Sequence, residues 1–139
     1  LLGGPASDVP LRQARLVRLP QFTDPRAALV VAQYGEGLPF LVRRARWIHS
    51  VVQGVTRGGH AHRATEQLFV AVAGRATALV YDGDTQRQLP LERPDVGLHV
   101  SPMVWVELHD FTPGTVVLLL SSTVFDEADY IRDRAELQI

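Results

Sequence analysis

The chain has 139 residues, 46% hydrophobic and 21% charged, which suits one soluble globular domain with a substantial core. Its 14 basic and 15 acidic residues leave a net charge of −1, which excludes the basic footprint of a nucleic-acid binder. It has no cysteine, which excludes disulfides, thiolate nucleophiles and Cys-ligated zinc or iron–sulfur centres. No run approaches the roughly 18 apolar residues of a membrane span. Leu1-Leu2-Gly3-Gly4 lacks the basic start of a secretory signal, so a cytoplasmic protein without a membrane partner is expected.

Residues 1–14 hold Gly3, Gly4, Pro5 and Pro10 without periodicity and read as a loose N-terminal arm before a single domain over 15–139. Ala14–Leu19 alternates as a first strand and Pro20 stops it. Phe22–Arg26 reads as a turn marked by Asp24-Pro25, and Leu29–Tyr34 as a strand closed by Gly35 and Gly37. Pro39–Val42 is a short helical or irregular turn, and Trp47–Val52 a strand. Further strands are expected at Gln67–Val72, Ala76–Tyr81, Thr85–Leu91, Leu98–Val100, Val104–Leu108 and Thr115–Ser121, with Asp82-Gly83-Asp84 as a hairpin turn. Short strands at intervals of about 8–12 residues, separated by Gly, Pro and Asp turns, predict an all-β fold closed into a small barrel. Asp126–Leu137, with acids early and arginines late, predicts a short C-terminal helical segment.

The chemistry concentrates in Gly54-Val55-Thr56-Arg57-Gly58-Gly59-His60-Ala61-His62-Arg63-Ala64-Thr65-Glu66-Gln67. On a strand, His60 and His62 share one face, roughly 7 Å apart along the chain. Imidazole moves protons near neutral pH and is also the commonest metal ligand, so the pair suits proton transfer or metal binding. The spacing Gly54, His60-x-His62, Glu66, Gly74 resembles the first motif of the cupin superfamily. The matching second motif, Gly97 to Glu107, has Glu107 where metal-binding cupins carry a further histidine. A divalent-metal site built from His60, His62, Glu66 and Glu107 is one reading, with nitrogen and oxygen donors; a metal-free site is the one favoured.

Three runs in order narrow the resemblance: Arg57-Gly-Gly-His60-Ala-His62, Gly97-Leu-x-Val-x-Pro102-Met-x-Trp105, and Phe125-Asp-Glu-x-Asp129-Tyr130-Ile131-Arg132-Asp133. From about Arg15 to Leu137 the chain resembles the dTDP-4-keto-6-deoxyglucose 3,4-ketoisomerases, the WxcM-like sugar ketoisomerases of the cupin superfamily. The resemblance implies a jelly-roll barrel without metal or cofactor, a nucleotide-sugar substrate, and a homodimer with exchanged N-terminal strands. It maps the paired histidines onto His60 and His62 and a nearby arginine onto Arg57. The reaction implied moves a carbonyl from C4 to C3 through an enediol, with His62 as base at carbon and His60 as its relay partner; the order of the two is open. Arg57 suits the oxyanion or the diphosphate, and Arg46 is a second candidate for the diphosphate or a solvated strand-edge cation. The family's tyrosine on the strand before the histidines is missing from Arg46-Trp47-Ile48-His49-Ser50, so His49 stands in for the phenol or the site is remodelled. Trp105 reads as a barrel-wall residue or a platform for a thymine ring, and Glu107 or Gln67 can orient a histidine. Tyr130 and Arg132 read as pins for the C-terminal segment, and His99 and His109 as structural or surface residues.

Overall fold

The computed structural model describes residues 12–138. Strands β1 (Ala14–Arg18), β2 (Gln21–Asp24), β3 (Ala27–Val30), β4 (Gln33–Tyr34), β5 (Gly37–Leu38), β6 (Arg44–Ile48) and β7 (Arg57–His62) form the first half. β8 (Gln67–Ala73), β9 (Ala76–Tyr81), β10 (Gln86–Leu91), β11 (Val96–Val100), β12 (Trp105–His109), β13 (Val116–Ser121) and β14 (Tyr130–Ile131) form the second. They assemble two antiparallel sheets, ordered β1-β11-β8-β13-β6 and β10-β9-β12-β7-β14. The sheets face each other as a jelly roll. Among the described strands they are not hydrogen-bonded into the closed barrel that the strand spacing suggests.

Period-2 alternation sorts the apolar residues into layers. Phe69, Ala71, Val80, Leu98, Val106, Leu108, Val117 and Leu119 meet between the sheets. Their neighbours Leu68, Val70 and Leu120 point the other way and are covered by Leu19, Leu38 and Phe40. Outside the second sheet, Ala61 and Trp105 pack with Ile131 and Leu137 of the C-terminal segment. Each fully buried Leu or Ile in these layers contributes about 1.5–3 kcal/mol.

Four local expectations change. The Asp24-Pro25 turn is real, but Gln21–Asp24 is itself a strand, hairpinned to β3 with Asp24 opposite Ala27. Leu29–Tyr34 divides into β3 and β4. The strand before the histidines ends at Ile48, because Ser50 takes a left-handed φ of 57°. The C-terminal segment is two single 3-10 turns, Glu127–Asp129 and Arg134–Leu137, around β14. Asp126 and Asp133 each accept from a backbone N–H two residues on, which starts a turn twice. Tyr130 and Ile131 stay extended to pair with β7.

Of the arm expected over 1–14, residues 1–11 lie outside the described residues. Arg12 is held in place, donating to the carbonyls of Leu137 at 2.6 Å and Asp82 at 2.9 Å. Among the described residues no helix is long and apolar enough to cross a membrane.

Candidate active site

The two glycines before His60 set its direction. Arg57 pairs with Leu108 and Gly58 with Glu107, but the next partner of β12, Val106, pairs with His60. Gly59 is therefore an extra, bulged residue, and both glycines adopt left-handed backbone, with φ of 91° and 88°. The bulge places Arg57 and His60, three positions apart, on the same inner face as Leu108 and Val106. His62 returns to that face by simple alternation.

The imidazoles of His60 and His62 lie 5.1 Å apart, nearly perpendicular. Tyr130, paired with His62 across the β7–β14 ladder, lays its ring 4.9 Å from His60 and 4.5 Å from His62. The preceding residue, Asp129, reaches His62 Nδ1 at 2.8 Å. Asp129 also accepts from the Ala64 N–H at 2.7 Å and from the Thr65 hydroxyl. Burial raises the Asp129 pKa, but the Thr65, His62 and Ala64 hydrogen bonds outweigh it and hold the carboxyl below its ordinary range. An ionised carboxylate only accepts, so His62 donates from Nδ1 and keeps its lone pair on Nε2. That Nε2 is buried and finds no partner among the described residues.

Both histidines are held neutral at pH 7. Burial first, then the charges of His62, Arg46 and Arg132, lower the His60 pKa to about 4. Burial also lowers that of His62, overriding the opposite pull of Asp129.

His60 lines a cavity of about 200 Å³ between the sheets. Phe69, Val106 and Leu119 make its apolar wall; Arg46, Arg57 and Gln67 supply the polar groups. Arg57 stands exposed at the rim, whereas Gln67 is almost wholly buried. Arg46 Nε and Nη2 and Gln67 Nε2 are buried and find no hydrogen-bond partner among the described residues.

The structure thus brings together His60, Arg57, Arg46 and Gln67 around the cavity, with His62 behind His60. It does not bring His49, Trp105 or Glu107 there. His49 is exposed beyond the end of β6 and bonds to the Ser50 hydroxyl at 2.8 Å. On β12 the inward positions belong to Val106 and Leu108. Trp105 and Glu107 therefore face out, where the indole N–H donates to Glu107 at 2.8 Å. Glu66 bonds to His99 Nε2 at 2.9 Å. The four residues of the metal reading are accordingly not assembled, and the described residues contain no group of three or more His, Cys, Asp or Glu placed to hold an ion.

Asp129 and Tyr130 are the site residues that sequence reasoning missed. The signal available was His62 itself, a buried histidine that needed an acceptor.

A family model described as FdtA, WxcM-like, C-terminal, matches residues 12–138. The chain belongs to the FdtA, WxcM-like family. This family member is 35% identical over 118 residues to a TDP-4-oxo-6-deoxy-alpha-D-glucose-3,4-oxoisomerase of Aneurinibacillus thermoaerophilus, covering 85% of each chain. Its fold matches a mutant of the 3,4-ketoisomerase QdtA from Thermoanaerobacterium thermosaccharolyticum, solved with TDP-4-keto-6-deoxyglucose. That match has a TM-score of 0.86 at 30% identity, over 91% of this chain and 94% of the other. WlaRA, a TDP-fucose-3,4-ketoisomerase from Campylobacter jejuni, matches with a TM-score of 0.85 at 27% identity, over 91% and 96%. The all-β, jelly-roll reading of this FdtA, WxcM-like chain is that of its solved relatives.

Proposed function

We propose that this chain is an isomerase of deoxysugar biosynthesis that moves the keto group of a TDP-4-keto-6-deoxyhexose from C4 to C3, using acid–base groups of its own. The observation that carries the reading is a neutral His60 in the wall of a cavity, backed by the His62–Asp129 pair and covered by Tyr130. The activity named for the relative, and the TDP-4-keto-6-deoxyglucose bound to the solved ketoisomerase, support the same substrate.

In this mechanism His60 takes the proton from C3. The C–H electron pair forms the C3=C4 bond and the carbonyl pair moves onto O4. Protonation of O4, loss of the O3 proton and delivery of a proton to C4 then leave a ketone at C3 and a hydroxyl at C4, with no net change in atoms or electrons. His60, rather than His62, is the base at carbon because His60 faces the cavity. His62 stands behind it, its ring 5.1 Å from that of His60 and held in one tautomer by Asp129. A cavity of about 200 Å³ accommodates the sugar ring but not the whole nucleotide sugar, which leaves the diphosphate at the rim beside Arg57.

On the same reading the protein assembles as a homodimer with exchanged N-terminal strands. Phe22, Leu29, Tyr34 and Trp47 expose large apolar side chains in the first half of the chain, which suits a second copy. In the single chain β1 pairs with its own β11; in the exchanged dimer the partner's β1 takes that place.

Proton NMR with dTDP-4-keto-6-deoxyglucose in deuterated water tests the chemistry. Deuterium is expected at C4 of the new 3-keto product and at C3 of the recovered 4-keto sugar, both slowed about 10²–10⁴-fold in His60→Asn. Binding of the sugar by the wild type without exchange would show a binding protein instead.

A further inference from the structure

We infer that Arg46 and Gln67 are the oxyanion-stabilising pair of this site, donating to O3 and O4 of the enediolate while Arg57 serves the diphosphate. The assignment rests on the isomerase reading and deepens it.

Three buried nitrogens lack acceptors: Arg46 Nε, Arg46 Nη2 and Gln67 Nε2. Buried donors are normally satisfied, and a guanidinium taken out of water without an anion is especially unfavourable. Both side chains lie on the inner face of the first sheet. Arg46 pairs with Leu119, and Gln67 lies two residues before Phe69 on β8, where Phe69 pairs with Leu119 as well. Both line the same cavity as His60. An acceptor that enters the cavity therefore meets these donors.

The geometry of the reaction decides which acceptor. A base in the cavity wall acts at hydrogen-bonding distance from C3, so the oxygens on C3 and C4 lie in the same small space. Arg46 offers Nε–H and Nη2–H side by side, the fork that grips two neighbouring oxygens. Two vicinal oxygens sharing the charge of an enediolate match that fork, and Gln67 adds a neutral donor. The substrate presents a ketone and a hydroxyl there, both uncharged. The contact therefore strengthens as charge develops, and it acts on the rate more than on binding. Arg57 also lines the cavity but is exposed at its rim, the place left for a diphosphate too large for the cavity itself.

Steady-state kinetics and TDP-binding calorimetry on Arg46→Gln, Arg46→Lys, Gln67→Ala and Arg57→Gln test the division. Arg46→Gln is expected to lower kcat about 10²–10³-fold while leaving TDP affinity within about twofold. Arg46→Lys, which keeps the charge but loses the fork, stays at least tenfold below the wild type. Gln67→Ala lowers kcat by a smaller factor, and Arg57→Gln weakens TDP binding about tenfold. If Arg46→Gln fails to show a cooperative thermal transition, Arg46→Lys carries the comparison. The assignment is overturned if the Arg46 variants weaken TDP binding and keep kcat, or change neither. A wild type that exchanges no C3 proton overturns the isomerase reading itself, and this assignment with it.

Discussion

His60 is a base whose environment keeps it ready at low pH. A histidine takes a proton only when deprotonated, and burial with the nearby cationic side chains lowers its pKa to about 4. The acid limb of kcat/KM is therefore expected near pH 4, well below the 6.5 of an ordinary histidine. A pH–rate profile checks this, and a loss of activity already centred at pH 6.5 would contradict it. The same shift links to folding: the unfolded chain binds this proton near 6.5 and the folded chain only near 4. Stability is thus full above 6.5 and drains as pH falls toward 4, which thermal melts will show as a steeper acid decline in the wild type than in His60→Asn. The two histidines were legible because alternation along one strand fixes their common face. Asp129 was not, because it joins His62 across 67 positions of sequence that no local period spans.

Element geometry turns on the β7 bulge. Gly58 has a φ of 91°, and a Cβ there would sit 2.8 Å from the Val106 carbonyl oxygen. Gly58→Ala is expected to cost about 1–3 kcal/mol in a thermal melt. Its activity is expected to fall further than that loss implies, because Arg57 and His60 share a face only through the bulge. Gly54→Ala is the control: its φ is 85°, but nothing lies within 4 Å of the new Cβ, so strain without displacement should leave turnover nearly intact. Equal activity in both variants would remove the bulge from the argument. Most strands of the two sheets were legible in the sequence, but β2 of the separate β2–β3 hairpin was not, because Asp24 and Pro25 carry turn chemistry that hid the extended residues before them. It read the tail as one helix because charge order resembles a helix dipole pattern, whereas two aspartate caps and the open edge of β7 select extended backbone between short turns.

For the molecule as a whole, regular spacing of short strands was enough to read the all-β architecture. How the two sheets meet was not legible, because it depends on which strand edges pair rather than on any run of residues. Surface patterning yields a further expectation. Phe22 and Leu29, opposite each other in the β2–β3 hairpin, are 62% and 63% exposed, and Trp47 on β6 is 63% exposed. Light scattering coupled to gel filtration is expected to give twice the chain mass for the wild type and to shift toward the single chain in a Phe22→Ser, Leu29→Ser double variant. A wild type running as a single chain at all concentrations would contradict the dimer.

The attachment of Asp129 and Tyr130 to β7 also orders events in time. On the ribosome, β1 to β13 emerge before these residues do, so the two-sheet body is available for folding while His62 still has no carboxylate to hold it. Synthesis and chemistry are thereby separated: a nascent or prematurely ended chain carries both imidazoles but lacks the groups that fix and cover them. Reactive proton transfer is expected to become competent only when the segment after β13 folds back onto β7.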